Sequence, residues 1–267
     1  MSPELPEVET FKRYVDSYTL HQKIKNVIIR DSRILKVAEK YFIKTLKGKS
    51  FVSTKRHGKY LSIKINSLFL IFHFGMSGDV AYYNNLKEEP LHSRILFEFT
   101  NGNFFSYISQ RMFGRVDLTK NFEEYVSKKK LGPDAFDMNF EEFKKSLYKR
   151  TALAKSALMN QQIIAGIGNI YSDEILFQAK IHPKTKINEI SDTKLRKLFD
   201  IIKNVLQVGI EKKGELTTYP HDFLIPHRKK DDICPHCGVY IERFEISQRH
   251  GFFCPNCQIF ITNEIEE

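Results

Sequence analysis

The four cysteines of this chain fall in two pairs, Cys234-Pro-His-Cys237 and Cys254-Pro-Asn-Cys257, separated by sixteen residues. Two C-x2-C knuckles at this spacing are a pattern for tetrahedral zinc. Each pair turns back on itself, the spacer closes a hairpin, and four thiolates complete the shell of one Zn2+ ion. A closed shell leaves no position for a substrate, so the site reads as structural, and His236 has no vacancy to fill. Two disulfides are the competing use of these cysteines. They do not suit a chain that opens with no secretory signal and keeps no cysteine for scattered bridges, a usage that fits a reducing, cytoplasmic setting.

Upstream of this module the chain changes character once. Residues 24–30, 51–55, 60–65, 68–74, 79–83, 94–100 and 103–109 are short runs that read as strands. Asn101-Gly102 joins the last two as a hairpin, since both residues tolerate positive φ. A helix over 37–46, closed by Gly48, interrupts the series. Around Lys128-Lys129-Lys130-Leu131-Gly132-Pro133-Asp134, charge, glycine and proline mark a boundary. Beyond it the period is helical, over 140–149, 153–160, 173–179 and 192–210. The last carries Leu195, Leu198, Ile202, Val205 and Leu206 on one face. The expectation is an α+β chain with a β-sandwich and flanking helices at 1–130, a helical domain at 131–222 and a cysteine-stapled finger at 223–267.

Lys and Arg number 42 against 32 Asp and Glu, a net charge of +10. That balance suits a polyanion, nucleic acid before an anionic membrane. No stretch approaches the roughly 18–20 apolar residues of a membrane span. The first residues, Met1-Ser2-Pro3-Glu4-Leu5-Pro6-Glu7-Val8-Glu9-Thr10, are not an ordinary tail. Val8, Phe11 and Val15 share one helical face, Pro6 suits a first turn, and Glu7 and Glu9 complement the helix dipole.

Pro3-Glu4-Leu5-Pro6-Glu7-Val8-Glu9-Thr10 resembles the N-terminus of the bacterial formamidopyrimidine-DNA glycosylases, which share a family with endonuclease VIII. The resemblance runs from Pro3 to Cys257. It implies a bifunctional base-excision enzyme in which an N-terminal proline attacks the sugar of a damaged nucleotide, Pro3 here, while Glu4 handles protons. An α-amine suits such an attack: with a pKa of about 7.7–8.0 roughly a quarter is neutral near pH 7.4, against about 0.1% of an unperturbed lysine. Ser2 departs from the family pattern. With Ser2 in place the Pro3 nitrogen is an amide, so Ser2 is an artefact of the start site, or is trimmed, or attacks with its own amine, or the chemistry has been lost.

The resemblance also implies a role for residues that read blandly alone. Gly166-Ile167-Gly168-Asn169 matches the family's helix–two-turn–helix element, with Asn169 and nearby amides holding phosphate. A glycine-rich helix start is itself an anion site. Lys155 matches a phosphate contact, with basic Arg150 near it in sequence, and Lys59 matches the lysine beside the lesion phosphate. Met76, Arg111 and Phe113 match a plug that fills the duplex when the nucleotide is extruded, which offsets an unstacking cost of a few kcal/mol. His92 aligns with a histidine near DNA. Arg249, within Ser-Gln-Arg-His-Gly at the finger tip, matches the arginine that grips the flanking phosphates and assists δ-elimination.

The chain therefore reads as a monomeric, bacterial, nucleoid-associated DNA glycosylase and abasic-site lyase acting on double-stranded DNA that contains a damaged base or abasic site, conditional on a free terminal amine. The plug favours oxidised purines. The short 214–233 stretch, with His221, His227 and Arg228 where oxidised-purine enzymes carry a longer loop, leaves oxidised pyrimidines or bare abasic sites open. The rivals are a non-catalytic damage-binding protein of the same fold and a zinc-ribbon RNA-binding or scaffold protein.

Overall fold

In the computed structural model residues 2–246 and 248–260 are described; Met1, Ser247 and residues 261–267 lie outside them. The chain divides into two compact units. Of the described residues, 2–3 and 7–129 form the first, and 4–6 with those from 130 onward form the second.

The first unit is a β-sandwich of two four-stranded antiparallel sheets. Its strands are β1 (Ile24–Ile29), β2 (Ser53–His57), β3 (Tyr60–Ile65), β4 (Leu68–His73), β5 (Gly78–Tyr83), β6 (Ser93–Phe99), β7 (Phe104–Ser109) and β8 (Arg115–Thr119). One sheet has the order β1-β6-β7-β5, the other β2-β3-β4-β8. Alternate side chains fill the space: Leu61, Ile63 and Ile65 from β3, Leu70 and Phe72 from β4, Ile95, Phe97 and Phe99 from β6, Phe105 and Tyr107 from β7. Val8 and Val15 of helix α1 (Leu5–Tyr18) and Phe42 and Leu46 of α2 (Glu39–Leu46) complete this core.

Two elements here escape the sequence pattern. Strand β8 pairs with β4, placing Val116 opposite Phe72, but with charges at Arg115 and Asp117 its five residues look like loop. The short helix α3 (Phe122–Lys128) follows, capped by the Asn121 side chain, which accepts from Glu124 N at 3.0 Å. At the Asn101-Gly102 hairpin only Gly102 is left-handed (φ +86°). The Asn101 side chain instead accepts from Asn103 N at 3.1 Å.

The second unit holds α4 (Phe140–Leu147), α5 (Ala154–Met159), α6 (Asn169–Gln178) and α7 (Asp192–Glu211), followed by the finger hairpin β9 (Glu242–Ile246) and β10 (Arg249–Phe253). The expected face of α7 is buried, and Leu158, Ile164, Ile175 and Leu176 pack in the same core. Leu5 joins it, and its N–H donates to Gly166 O at 3.0 Å. Gly166 explains itself by that approach: at φ +116° a Cβ would stand 2.5 Å from Leu5 Cδ1. Among the described residues no helix is long and apolar enough to cross a membrane.

Candidate functional site

In the sandwich unit the candidates sit on turns. Lys59 lies in the two-residue β2–β3 turn, where Gly58 takes φ +55°, as a tight hairpin requires. The turns after β4 and β7 carry Met76 (42% exposed) and Phe113 (51% exposed), unusual exposures for large apolar side chains. These two turns touch. Gly75 (φ +62°) lies so close to the second that a Cβ would stand 2.4 Å from the Phe113 carbonyl carbon. Arg111 N donates to Ser77 Oγ at 3.0 Å, and the Arg111 guanidinium stands 5.4 Å from the Phe113 ring centre. Met76, Arg111 and Phe113 therefore share one patch. His92 (φ +66°) sits at the foot of the second turn, its carbonyl accepting from Ser109 N at 3.1 Å.

The Gly75 turn is held from beneath. Gly75 N donates to His73 Nδ1 at 3.3 Å, and Tyr107 OH donates to His73 O at 2.7 Å. Burial, helped by the charges of Lys59, Lys129 and Arg115, pushes His73 down to about 4, so the ring stays neutral and Nδ1 remains an acceptor. Ser2 Oγ donates to the other side of the same glycine, to Gly75 O at 2.8 Å. Pro3, next in the chain, is buried.

In the helical unit the arrangement differs from the sequence reading at two points. The first concerns the amides that open α6. Gly168 provides no side-chain cap. The Glu4 carboxylate takes that place, accepting from Gly168 N, from Ile170 N at 2.9 Å and from Tyr171 N at 3.4 Å. The helix N-terminus is an anion site, as its glycines suggest, but its anion is the protein's own carboxylate. With this cap supplied from far away in sequence, α6 begins at Asn169, four residues before the expected start. Glu4 itself is 2% exposed.

The second point concerns Lys155. Read by resemblance as a phosphate contact, it is completely buried, and its ammonium is turned onto partners within the protein. Its Nζ donates to Asp173 Oδ1 at 2.5 Å, Ser172 Oγ at 2.9 Å and Asn169 O at 3.1 Å. Burial pulls its pKa below the usual lysine range, while Asp173 and Glu4 oppose that shift. Asp173 is the hub of this cluster. Its Oδ2 accepts from Arg228 Nη2 at 2.7 Å and from Phe252 N of β10 at 3.2 Å, which ties α5, α6 and the 228 turn to the finger hairpin. Nothing in the sequence links Lys155, Asp173 and Arg228, because tertiary ion pairs carry no fixed spacing.

Asn169 also reaches the finger, its Nδ2 donating to His250 O at 2.8 Å; its Oδ1 is buried and unpartnered. Arg249 is exposed at the start of β10, with Nη1 3.7 Å from Met159 Sδ. Arg150 stands apart from the Asp173 cluster, its Nε donating to Ser146 O at 2.7 Å at the end of α4. Glu174 is fully buried and accepts from Ile225 N at 2.7 Å and Gln178 Nε2 at 2.8 Å; burial raises it to about 7.

The four cysteine sulfurs lie within 4.8 Å of one another. Cys234 and Cys257 are 3.8 Å apart and Cys237 and Cys254 3.5 Å, far beyond a disulfide bond. A tetrahedron with Zn–S bonds of about 2.3 Å has edges of about 3.8 Å, so this donor set fits one zinc ion.

Comparison with known proteins agrees along the chain. Residues 2–116 match the formamidopyrimidine-DNA glycosylase N-terminal domain and residues 131–220 the H2TH domain of the same glycosylases. Residues 233–259 match the zinc finger found in FPG and IleRS. The formamidopyrimidine-DNA glycosylase of Ligilactobacillus salivarius is 36% identical over 272 residues, covering 96% of this chain and 99% of that one. That of Bacillus subtilis is 33% identical over 273 residues, covering 96% and 99%. Two solved complexes of Lactococcus lactis Fpg are similar at 30% identity, each covering 96% of this chain and 99% of the other. One contains N7-benzyl-Fapy-dG DNA (TM-score 0.86), the other abasic-site DNA (TM-score 0.85).

Proposed function

Because the chain belongs to the formamidopyrimidine-DNA glycosylase family, we propose that it excises oxidised bases from double-stranded DNA and cuts the strand at the abasic site so formed. The observation that carries this reading is the Glu4 carboxylate, enclosed and fixed by three amides at the start of α6 and its cap, immediately after the segment that would supply the amine. A lone acidic residue in a tail would be solvated; this one is built into the fold.

A neutral amine at the front of the chain attacks C1′ of the extruded nucleotide, and the base leaves with the electrons of its glycosidic bond. The sugar ring opens and an imine joins the amine to C1′. The imine makes the C2′ proton acidic. Its loss expels the 3′ phosphate, and a second elimination expels the 5′ phosphate. Glu4 moves protons at the sugar, Lys59 and Asn169 hold the backbone, and Arg249 holds the flanking phosphates and assists the second elimination. Met76 and Phe113 replace the lost stacking while Arg111 pairs with the orphaned base. His92 supports the backbone beside the plug. Zinc holds the finger hairpin and takes no part in the chemistry.

The reading requires an unblocked amine at Ser2 or Pro3. Pro3 is buried behind Ser2 and its nitrogen there is an amide, an observation that favours the second reading, a damage-binding protein of the same fold. Duplexes with one oxidised purine, one oxidised pyrimidine or one abasic site separate the two. Release of free base and a nick carrying phosphate at both ends support the enzyme, and the preferred duplex names the lesion class. Tight binding with no base release and no nick supports the binder. In either case affinity is expected to fall steeply with salt, since phosphate contacts dominate.

A further inference from the structure

Ser2 is the residue at which this chain departs from its family, yet it is not idle. Its hydroxyl donates to Gly75 O, one side of the glycine whose N–H is held by His73. Gly75 is the pivot of the patch that carries the plug. Its backbone is pressed against Phe113 and Gly114 at a distance that only glycine allows, and Ser77, two residues on, accepts from Arg111 N. Arg115 Nη1 ties off the far side of the second turn at Met112 O (2.8 Å). Both plug turns thus form one braced body with few free torsions. Ser2 is the point at which the N-terminal segment attaches to it.

We propose that Ser2 is a positioning residue that latches the amine-bearing terminus to the plug, so that insertion of Met76 and Phe113 into the duplex places the amine for attack. The latch rests on the enzymatic reading above. It gives a physical use to the extra residue: a terminus free to swing would lose the amine's orientation, and a hydroxyl held at 2.8 Å from a braced carbonyl removes that freedom. Extrusion and attack are then one motion rather than two independent events. A duplex that does not admit the plug leaves the amine unaligned, which adds selectivity after binding.

The test uses the full-length, zinc-loaded protein and an abasic-site duplex with 2-aminopurine next to the lesion. Fluorescence reports plug insertion, and borohydride trapping under single turnover reports imine formation. Intact-mass measurement first establishes that wild type, Ser2→Ala and Ser2→Thr begin at the same residue. In Ser2→Ala we expect the same insertion amplitude and the same affinity, with trapping slowed about five-fold, the kinetic equivalent of one neutral hydrogen bond. Ser2→Thr, which keeps the hydroxyl, is expected to trap at the wild-type rate. Wild-type trapping by Ser2→Ala overturns the latch, as does equal loss of insertion and trapping, or failure of Ser2→Thr to restore the rate. A wild-type protein that inserts its plug but yields no adduct overturns the enzymatic reading itself, and the latch with it.

Discussion

The sandwich unit and the helical unit differ in how they place their charged groups. Among the described residues of the sandwich the buried charge is limited to Glu7 and the Arg56–Glu9 pair beside an apolar core, and the residues assigned to DNA lie on turns: Lys59, Met76, Arg111 and Phe113. Its one strongly perturbed imidazole, His73, is kept neutral. The helical unit buries its charge. Glu4, Lys155, Asp173 and Glu174 are each at most 2% exposed, and the amides that open α6 are occupied by a carboxylate of the same chain. The lesson is that a glycine-rich helix start and a matching lysine need not face a ligand. Here they assemble a scaffold on which Asn169 and Arg249 are presented.

Removing zinc is the largest way to separate the two units. Four thiolates around one ion contribute about 10–16 kcal/mol to small finger modules. Chelation, or Cys254→Ser, is expected to melt β9 and β10 and to weaken DNA binding at least about 100-fold. Amide exchange in β3, β4, β6 and β7 should not change. Fast exchange in those strands as well would show that the sandwich does not stand by itself.

Asp173→Ala sharpens the contrast next. It leaves Lys155 and Arg228 without their shared carboxylate in a closed space, and breaking a buried ionic cluster in this way costs about 3–5 kcal/mol. Chemical denaturation should show a loss of that size. By contrast, Glu124→Ala, which breaks the exposed Lys128–Glu124 pair (2.6 Å) in the first unit, should cost less than about 0.5 kcal/mol. Comparable losses would mean that the cluster is far wetter than its burial implies.

The smallest contrast is in pH, and the signs differ. His73 is depressed from 6.5 to about 4, so its contribution is complete above pH 6.5 and erodes as pH falls through 4. Glu174 is raised from 4.5 to about 7, so its contribution is complete below pH 4.5 and erodes as pH rises through 7. Each is of order 1–3 kcal/mol. Hydrogen exchange should quicken around Gly75 in acid and around Leu224 and Ile225 toward pH 8, and Glu174→Gln should flatten only the second response. Parallel responses at both places would break the comparison.

The same contrast explains what could be read from the chain alone. Strand β3 was legible because burial on one face writes a two-residue period, and β4 because it is a short apolar run bounded by turns. Helix α7 and the paired-cysteine spacing were legible for similarly local reasons. Strand β8 was not, because two of its five residues are charged and its partner, β4, lies more than forty positions earlier, as far as Phe69 from Thr119. Met76, Arg111, Phe113 and Arg249 stood out only by resemblance, since an exposed Met or Arg on a turn has no pattern of its own. The burial of Lys155 was not legible either, because a lysine that pairs inside a protein looks, in sequence, like one that faces solvent. The Glu4 cap on α6 was beyond any local signal: carboxylate and amides are more than 160 residues apart.

The account stands on a reactive amine in the first residues of the folded chain, and borohydride trapping on abasic-site DNA addresses that directly. We expect a covalent protein–DNA adduct whose digest carries the sugar remnant on the peptide that ends at Lys12, attached through the α-nitrogen of its first residue. An adduct mapped to a lysine elsewhere, or saturated binding without any adduct, would contradict it.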